Sequence, residues 1–238
     1  MAMYYIKDDG EQKVDVIVEY DLIEVAPDFM TPKLVFLFFK PEENIEDFEQ
    51  HFFNDALIAQ LIDVNGLAYF AGARYLEGWI ELYYYTKDSK LLRQNLAQRL
   101  PANLHHELSS KADDKWKFFF ESLRPNAFEK LSMENRYVLN DLKDAGDDLE
   151  SLHEFDHTFF FHTKSQREKV RDQLVALGHK VEDEVVDDFL DARFVLVTQH
   201  SGSATLDEVN SFTKLISEIT EKSKGYYDGW STTMKDNV

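Results

Sequence analysis

The chain has 238 residues, 44% of them hydrophobic, with 19 Phe and 11 Tyr. That is enough apolar bulk for one large or two small domains, and it excludes wholesale disorder. A formal charge of −19 opposes binding to phosphate backbones and anionic lipid surfaces, and the lack of Cys removes disulfides, thiolate metal sites and Cys nucleophiles together.

At the start, Met1–Gly10 has no basic segment followed by an apolar stretch, so no signal peptide is expected. The longest apolar run, Leu34–Phe39, is too short to span a bilayer, which points to a cytoplasmic protein. Val14–Asp21 and Leu34–Lys40 read as strands. Asn44 to about Val64 reads as one long helix with Ile45, Phe48, Phe52, Ala56 and Leu57 on its buried side, ended by Asn65-Gly66. Leu67–Tyr75 and Trp79–Thr86 flank Glu77-Gly78, a hairpin signal. Ser89–Arg99 reads as a short helix before Pro101, His105-His106 as part of a polar loop, and aromatic Trp116–Leu123 as a strand. Ala127–Ala145 reads as a helix with Leu131, Val138 and Leu142 apolar and Gly146 as its stop.

The second half continues with Glu154–Thr163 as an aromatic strand. Ser165 to Glu168 has the form of a capping box, and Val170, Leu174 and Leu177 follow at helical spacing up to Gly178. His179–Val186 and Leu190–Gln199 read as strands. Thr205 to Glu208 forms a second box, opening a helix lined by Val209, Phe212, Ile216 and Ile219, and Tyr226–Trp230 is a final extended segment. The order in each half is β-α-β-β-α-β. The expected class is α+β, with two ferredoxin-like antiparallel-sheet domains, residues 1–125 and 150–238, joined by a linker helix over 126–149 that packs on one of them.

Asp156-His157 at the head of an aromatic strand, then helix, hairpin, helix and Tyr227-Asp228-Gly229-Trp230, resembles the regulator of ribonuclease E activity B family over residues 150–238. The N-terminal part, most of all Gly78–Tyr85 (GWIELYYY), resembles domain of unknown function 695, a family that occurs joined to such regulators. Asn135-Arg136, Gly146 to Asp148 and Asp156-His157 resemble the junction of these fusions. The resemblance implies a ferredoxin-like fold and a non-enzymatic role, in which the regulator binds the scaffold portion of ribonuclease E and lowers its activity. It brings no catalytic residues. Asp156, His157, Tyr227, Asp228, Gly229 and Trp230 carry the family pattern in structural roles.

His153, Asp156, His157 and His162 offer imidazoles and carboxylate within ten residues. Strand alternation places His157 with Phe155, Phe159 and Phe161, and Asp156 on the other face, while His153 would precede the strand. No metal and no cofactor are therefore expected. An enzyme or small-ligand module using His153, Asp156 and His157 is the rival reading. No nucleophile or phosphate-loop motif is present. Tyr69, Phe70, Tyr75, Tyr83, Tyr84 and Tyr85 could stack bases as RNA-recognition modules do, but the negative charge favours covered core rings and no direct nucleic-acid binding. Glu182, Asp183, Glu184, Asp187, Asp188 and Asp191 crowd the second hairpin, where they would form either a solvated edge that resists aggregation or a docking site for a basic protein such as ribonuclease E. Tyr227 and Trp230 would anchor the last strand or offer a partner a hot spot.

Overall fold

In the computed structural model, which describes residues 1–8, 12–187 and 190–235, the chain divides into two units, Met1–Lys130 and Leu131–Val238. Unit 1 is built on six strands: β1 (Ala2–Asp8), β2 (Lys13–Glu19), β3 (Lys33–Phe39), β4 (Tyr69–Leu76), β5 (Trp79–Thr86) and β6 (His106–Ala112). They form one antiparallel sheet in the order β1-β2-β4-β5-β3-β6. The helices are α1 (Asp21–Val25), α2 (Phe48–Asn54), α3 (Ala56–Ile62) and α4 (Ser89–Ala97). On one sheet face, Val35, Leu37, Phe39, Ile80, Leu82 and Tyr84 pack with residues of α2, α3 and α4.

The helix expected from Asn44 to Val64 is thus two helices. Asp55 ends α2 and starts α3, its carboxylate accepting the Ile58 N–H at 2.8 Å. An aspartate that satisfies a free helix N–H in this way favours a new start over continuation.

Lys117–Leu123 is helical rather than a strand, with a π-helical turn at Phe119–Leu123, and Trp116 just before it has a positive φ of 53°. Asp113 sets it up by accepting the N–H groups of Lys117 at 2.8 Å and Phe118 at 3.0 Å, and the Tyr85 hydroxyl at 2.6 Å. Trp116, Phe119 and Leu123 are all buried. Trp116 stacks on Tyr85 at 3.9 Å, and Phe118 lies 4.3 Å from Tyr83. Unit 1 itself therefore covers the second face of its sheet. Tyr83, Tyr84 and Tyr85 are buried with their hydroxyls bonded, out of reach of a base. Neither β1 nor β6 has a counterpart in the sequence reading. β6 (HELSSKA) is a polar, largely exposed edge with no apolar alternation to reveal it.

Helix α5 (Ala127–Asp144) starts where Asn126 and Glu129 exchange backbone-to-side-chain bonds. In unit 2 its buried side is Met133, Asn135 and Leu139, and Val138, expected to be apolar-facing, is exposed. The polar Asn135 holds the place that an apolar residue would have marked.

Unit 2 continues with β7 (Leu152–Phe161), α6 (Lys164–Ala176), β8 (Lys180–Val186), β9 (Phe194–Ser203), α7 (Leu206–Lys222) and β10 (Tyr226–Thr232). The antiparallel order is β10-β7-β9-β8: last, first, third, second. Strands β6-β3-β5-β4 of unit 1 follow the same order, with the β1–β2 hairpin added beyond β4. Phe159, Phe161 and Leu196 pack against Val170 and Leu174 of α6 and Ile216 and Ile219 of α7. On the opposite face Asp156, Thr158, Phe160, Val195 and Val197 are half-buried. The N-cap of α6 is Thr163, reciprocated by Gln166, instead of Ser165 with Glu168. Thr163 is still extended, as a cap must be, whereas Ser165 already lies in the first turn. Thr205 takes the N-cap place of α7, but its hydroxyl makes no capping bond.

Candidate functional site

Strand β7 alternates so that His153, Phe155, His157, Phe159 and Phe161 share its buried face. His153 is therefore a strand residue, not a loop residue. Its Nδ1 lies 2.8 Å from the Ser151 carbonyl and its Nε2 3.0 Å from the Asp147 carboxylate, which also accepts the Lys235 N–H at 2.7 Å. Asp156 faces the other way and accepts from Gln199 at 3.0 Å. His162 is exposed, 3.9 Å from Asp191. These four residues do not converge on one point.

His157 meets a different set. Its Nδ1 is 2.8 Å from the Tyr227 hydroxyl and its Nε2 is 2.8 Å from His200 Nδ1. His179, immediately before β8, places Nδ1 3.2 Å from Thr198 Oγ1. The three rings lie at centroid distances of 4.8, 4.9 and 5.4 Å. Burial, reinforced by His200 and His179, pushes His157 down to about 2. Burial, then His200, takes His179 down to about 4, and burial lowers His200 as well. The group is a row of neutral imidazoles at neutral pH.

The Tyr227–Trp230 motif builds a bulge. On a regular strand, residues three apart face opposite sides. In β10 the register shifts between Tyr227 and Gly229, so Tyr227 opposes Phe159 and Trp230 opposes His157, both on the helix-covered face. Gly229 sits at φ +105°, which a side chain would resist. Gly225 is required by crowding: a Cβ there would collide with the Phe161 ring. Trp230 Nε1 donates to Asn135 Oδ1 at 2.8 Å, and Asn135 donates to Asn210 and Thr213, each at 2.9 Å. Tyr227 and Trp230 are thus held inside unit 2, while Asp228 is exposed.

The acidic hairpin lies on the β8 edge, where every residue from Lys180 to Val186 is exposed. Glu182 and Asp183 lie on it, and the Asp183 carboxylate accepts the Glu184 N–H at 2.8 Å. Glu184 turns to α6 and pairs with Arg167 at 3.3 Å and Arg171 at 3.1 Å. Arg167, buried and unmarked in the sequence reading, also donates to the Val185 and Val195 carbonyls and so braces the edge from beneath. Asp187 is half-buried, Asp191 is exposed, and Asp188 lies outside the described residues. In unit 1, a cleft of about 650 Å³ is lined in part by Glu42, His51, Asp55 and His105, where His51 and Asp55 stand 3.7 Å apart.

No described helix is long and apolar enough to cross a membrane. A solved chain from Galdieria sulphuraria, described as an unknown protein, is 13% identical and covers 86% of this chain and 99% of its own; its TM-score of 0.23 carries no argument about fold. The regulator of ribonuclease activity B of Xenorhabdus nematophila is 25% identical over 114 residues, 47% of this chain and 81% of that protein. Residues 132–232, all within unit 2, match the family described as regulator of ribonuclease activity B.

Proposed function

We propose that this chain is a non-enzymatic, cytoplasmic regulator that binds a ribonuclease E-type enzyme or its scaffold and lowers its activity. The observation that carries the reading is the match of residues 132–232 to a family of ribonuclease regulators. Unit 2 is then a ferredoxin-like domain, which the order β10-β7-β9-β8 with α6 and α7 against one face supports. Unit 1 is a second domain of that topology, supported by the same order in β6-β3-β5-β4, and its assignment to the unknown-function 695 type rests on the Gly78–Tyr85 resemblance alone.

The β8 edge supplies a binding mode. An edge strand offers backbone N–H and C=O groups to an added strand. Glu182 and Asp183 would steer a basic segment to it, since opposite charge raises encounter rates. An arginine-rich RNA-binding segment has that chemistry, and occupying it competes with RNA without this chain touching nucleic acid.

Cleavage of a fluorescent RNA by a purified ribonuclease E-type enzyme that keeps its scaffold region tests the reading. The added full chain lowers the rate, and Glu182→Lys with Asp183→Lys weakens the effect. An unchanged rate, with no retention of the chain on immobilised enzyme, removes the proposal.

A further inference from the structure

The histidine row of unit 2 has no part in that binding mode, and its geometry supports chemistry of its own. We propose that His157, His179 and His200 form a Zn²⁺ site that ties β7, β9 and the start of β8 together. One nitrogen from each ring lies within 4.8 Å of the other two. Zn–N bonds of about 2.0–2.1 Å in a tetrahedral centre need nitrogens about 3.4 Å apart, so the widest pair must close by about 1.4 Å. The His157–His200 pair, 2.8 Å apart, opens as the wider pair closes.

The outer hydrogen bonds already orient the rings. Tyr227 holds Nδ1 of His157 and Thr198 holds Nδ1 of His179, which leaves Nε2 of each for the metal. His200 offers Nδ1, which faces His157 Nε2. Each ring needs one proton, on the nitrogen away from the ion. His157 then donates to the Tyr227 oxygen, His179 donates to Thr198, and His200 keeps its proton on Nε2. Binding selects tautomers and removes no proton from the neutral rings. Three imidazoles suit a borderline-soft divalent ion, and Zn²⁺ tolerates a fourth position filled by water. His200, partly exposed, gives the ion a way in. Strand alternation around His157 argues against a metal ligand set within that stretch, and the two added ligands come from elsewhere in the chain.

This site needs no ribonuclease, so its test is separate from the test of function. The full chain, stripped with a chelator, is titrated with ZnCl₂ by calorimetry. The expected result is one Zn²⁺ per chain, with affinity lowered about a hundredfold by His200→Gln and likewise by His179→Gln. Circular dichroism of each metal-free variant checks its fold. Co²⁺ in place of Zn²⁺ should give the intense visible bands of a four-coordinate centre, and Zn²⁺ should raise the thermal midpoint of the unsubstituted chain. Those two readings decide the matter if the variants do not fold. Absence of stoichiometric binding, binding that survives both substitutions, or a six-coordinate Co²⁺ spectrum would overturn the proposal.

Discussion

The sheets of the two units share a strand order and differ in what lies against them. In unit 1, α2, α3 and α4 pack on one face and Trp116–Leu123 on the other. In unit 2, α6 and α7 pack on one face, and the β8 edge stands exposed along its whole length. The difference assigns roles. The tyrosine-rich strand of unit 1, the most conspicuous feature of the sequence, is spent on packing. The plain charged strand β8 of unit 2 is an edge exposed along its length, with Glu184 paired to Arg167 and Arg171. Aromatic density marks a core here.

The sharpest way to break the comparison is to unseal unit 1. Glu81 accepts from Arg74 at 2.7 Å and from Tyr83 at 2.6 Å, and the Arg74 guanidinium lies over the Phe118 ring. Glu81→Leu leaves the Arg74 guanidinium without its counter-charge, and urea denaturation should show a loss of about 3 kcal/mol. A loss below about 0.5 kcal/mol would mean this face is open to water like an ordinary surface. Next in size, Asn135→Leu should cost about 2 kcal/mol, because Trp230, Asn210 and Thr213 all lose a partner. Hydrogen exchange of the Trp230 indole N–H should speed up in that variant. An unchanged exchange rate would show that Trp230 is not anchored there.

Much of this was legible beforehand, and the omissions have physical causes. The order of elements in unit 2 follows from strand alternation and Gly stops. The placement of His157 among aromatic rings follows from alternation alone. Its meeting with His179 and His200 does not, because alternation gives faces and says nothing of register. His157 opposes Thr198, and only that register sets His200, two residues on, beside it. The aromatic run over Trp116–Leu123 satisfies β propensity, while the preceding Asp113, which accepts the Lys117 and Phe118 N–H groups, fits a helix start. Asp55 was missed because apolar periodicity continues across it. Arg167 gave no signal, since a buried arginine on a helix looks like any exposed one.

A smaller effect separates the units by pH. Below about pH 6.5 an unfolded histidine binds a proton that His157 refuses down to about 2 and His179 down to about 4. The unfolded state then binds more protons, so this stability is present above pH 6.5 and drains as pH falls. The slope is about 1.4 kcal/mol per pH unit for a fully buried ring, and less for the less buried His179. In chelator-treated protein between pH 6.5 and 5, His157→Phe should therefore flatten the dependence of unfolding free energy on pH. Equal slopes in the two proteins would contradict a neutral buried His157. Smallest of all, Glu182→Lys with Asp183→Lys should change folding stability by no more than about 0.5 kcal/mol, because both lie on an exposed edge. A larger loss in urea denaturation would make the edge a structural element.

A double substitution that spares the fold also isolates the central proposal, that the β8 edge docks a basic segment. The direct measurement is the association rate of the full chain with an immobilised ribonuclease E-type scaffold at two ionic strengths. The native chain should associate faster at low salt and slow steeply as salt rises, and the substituted chain should be slower and nearly insensitive to salt. Equal rates and equal salt dependence for the two proteins would contradict the account.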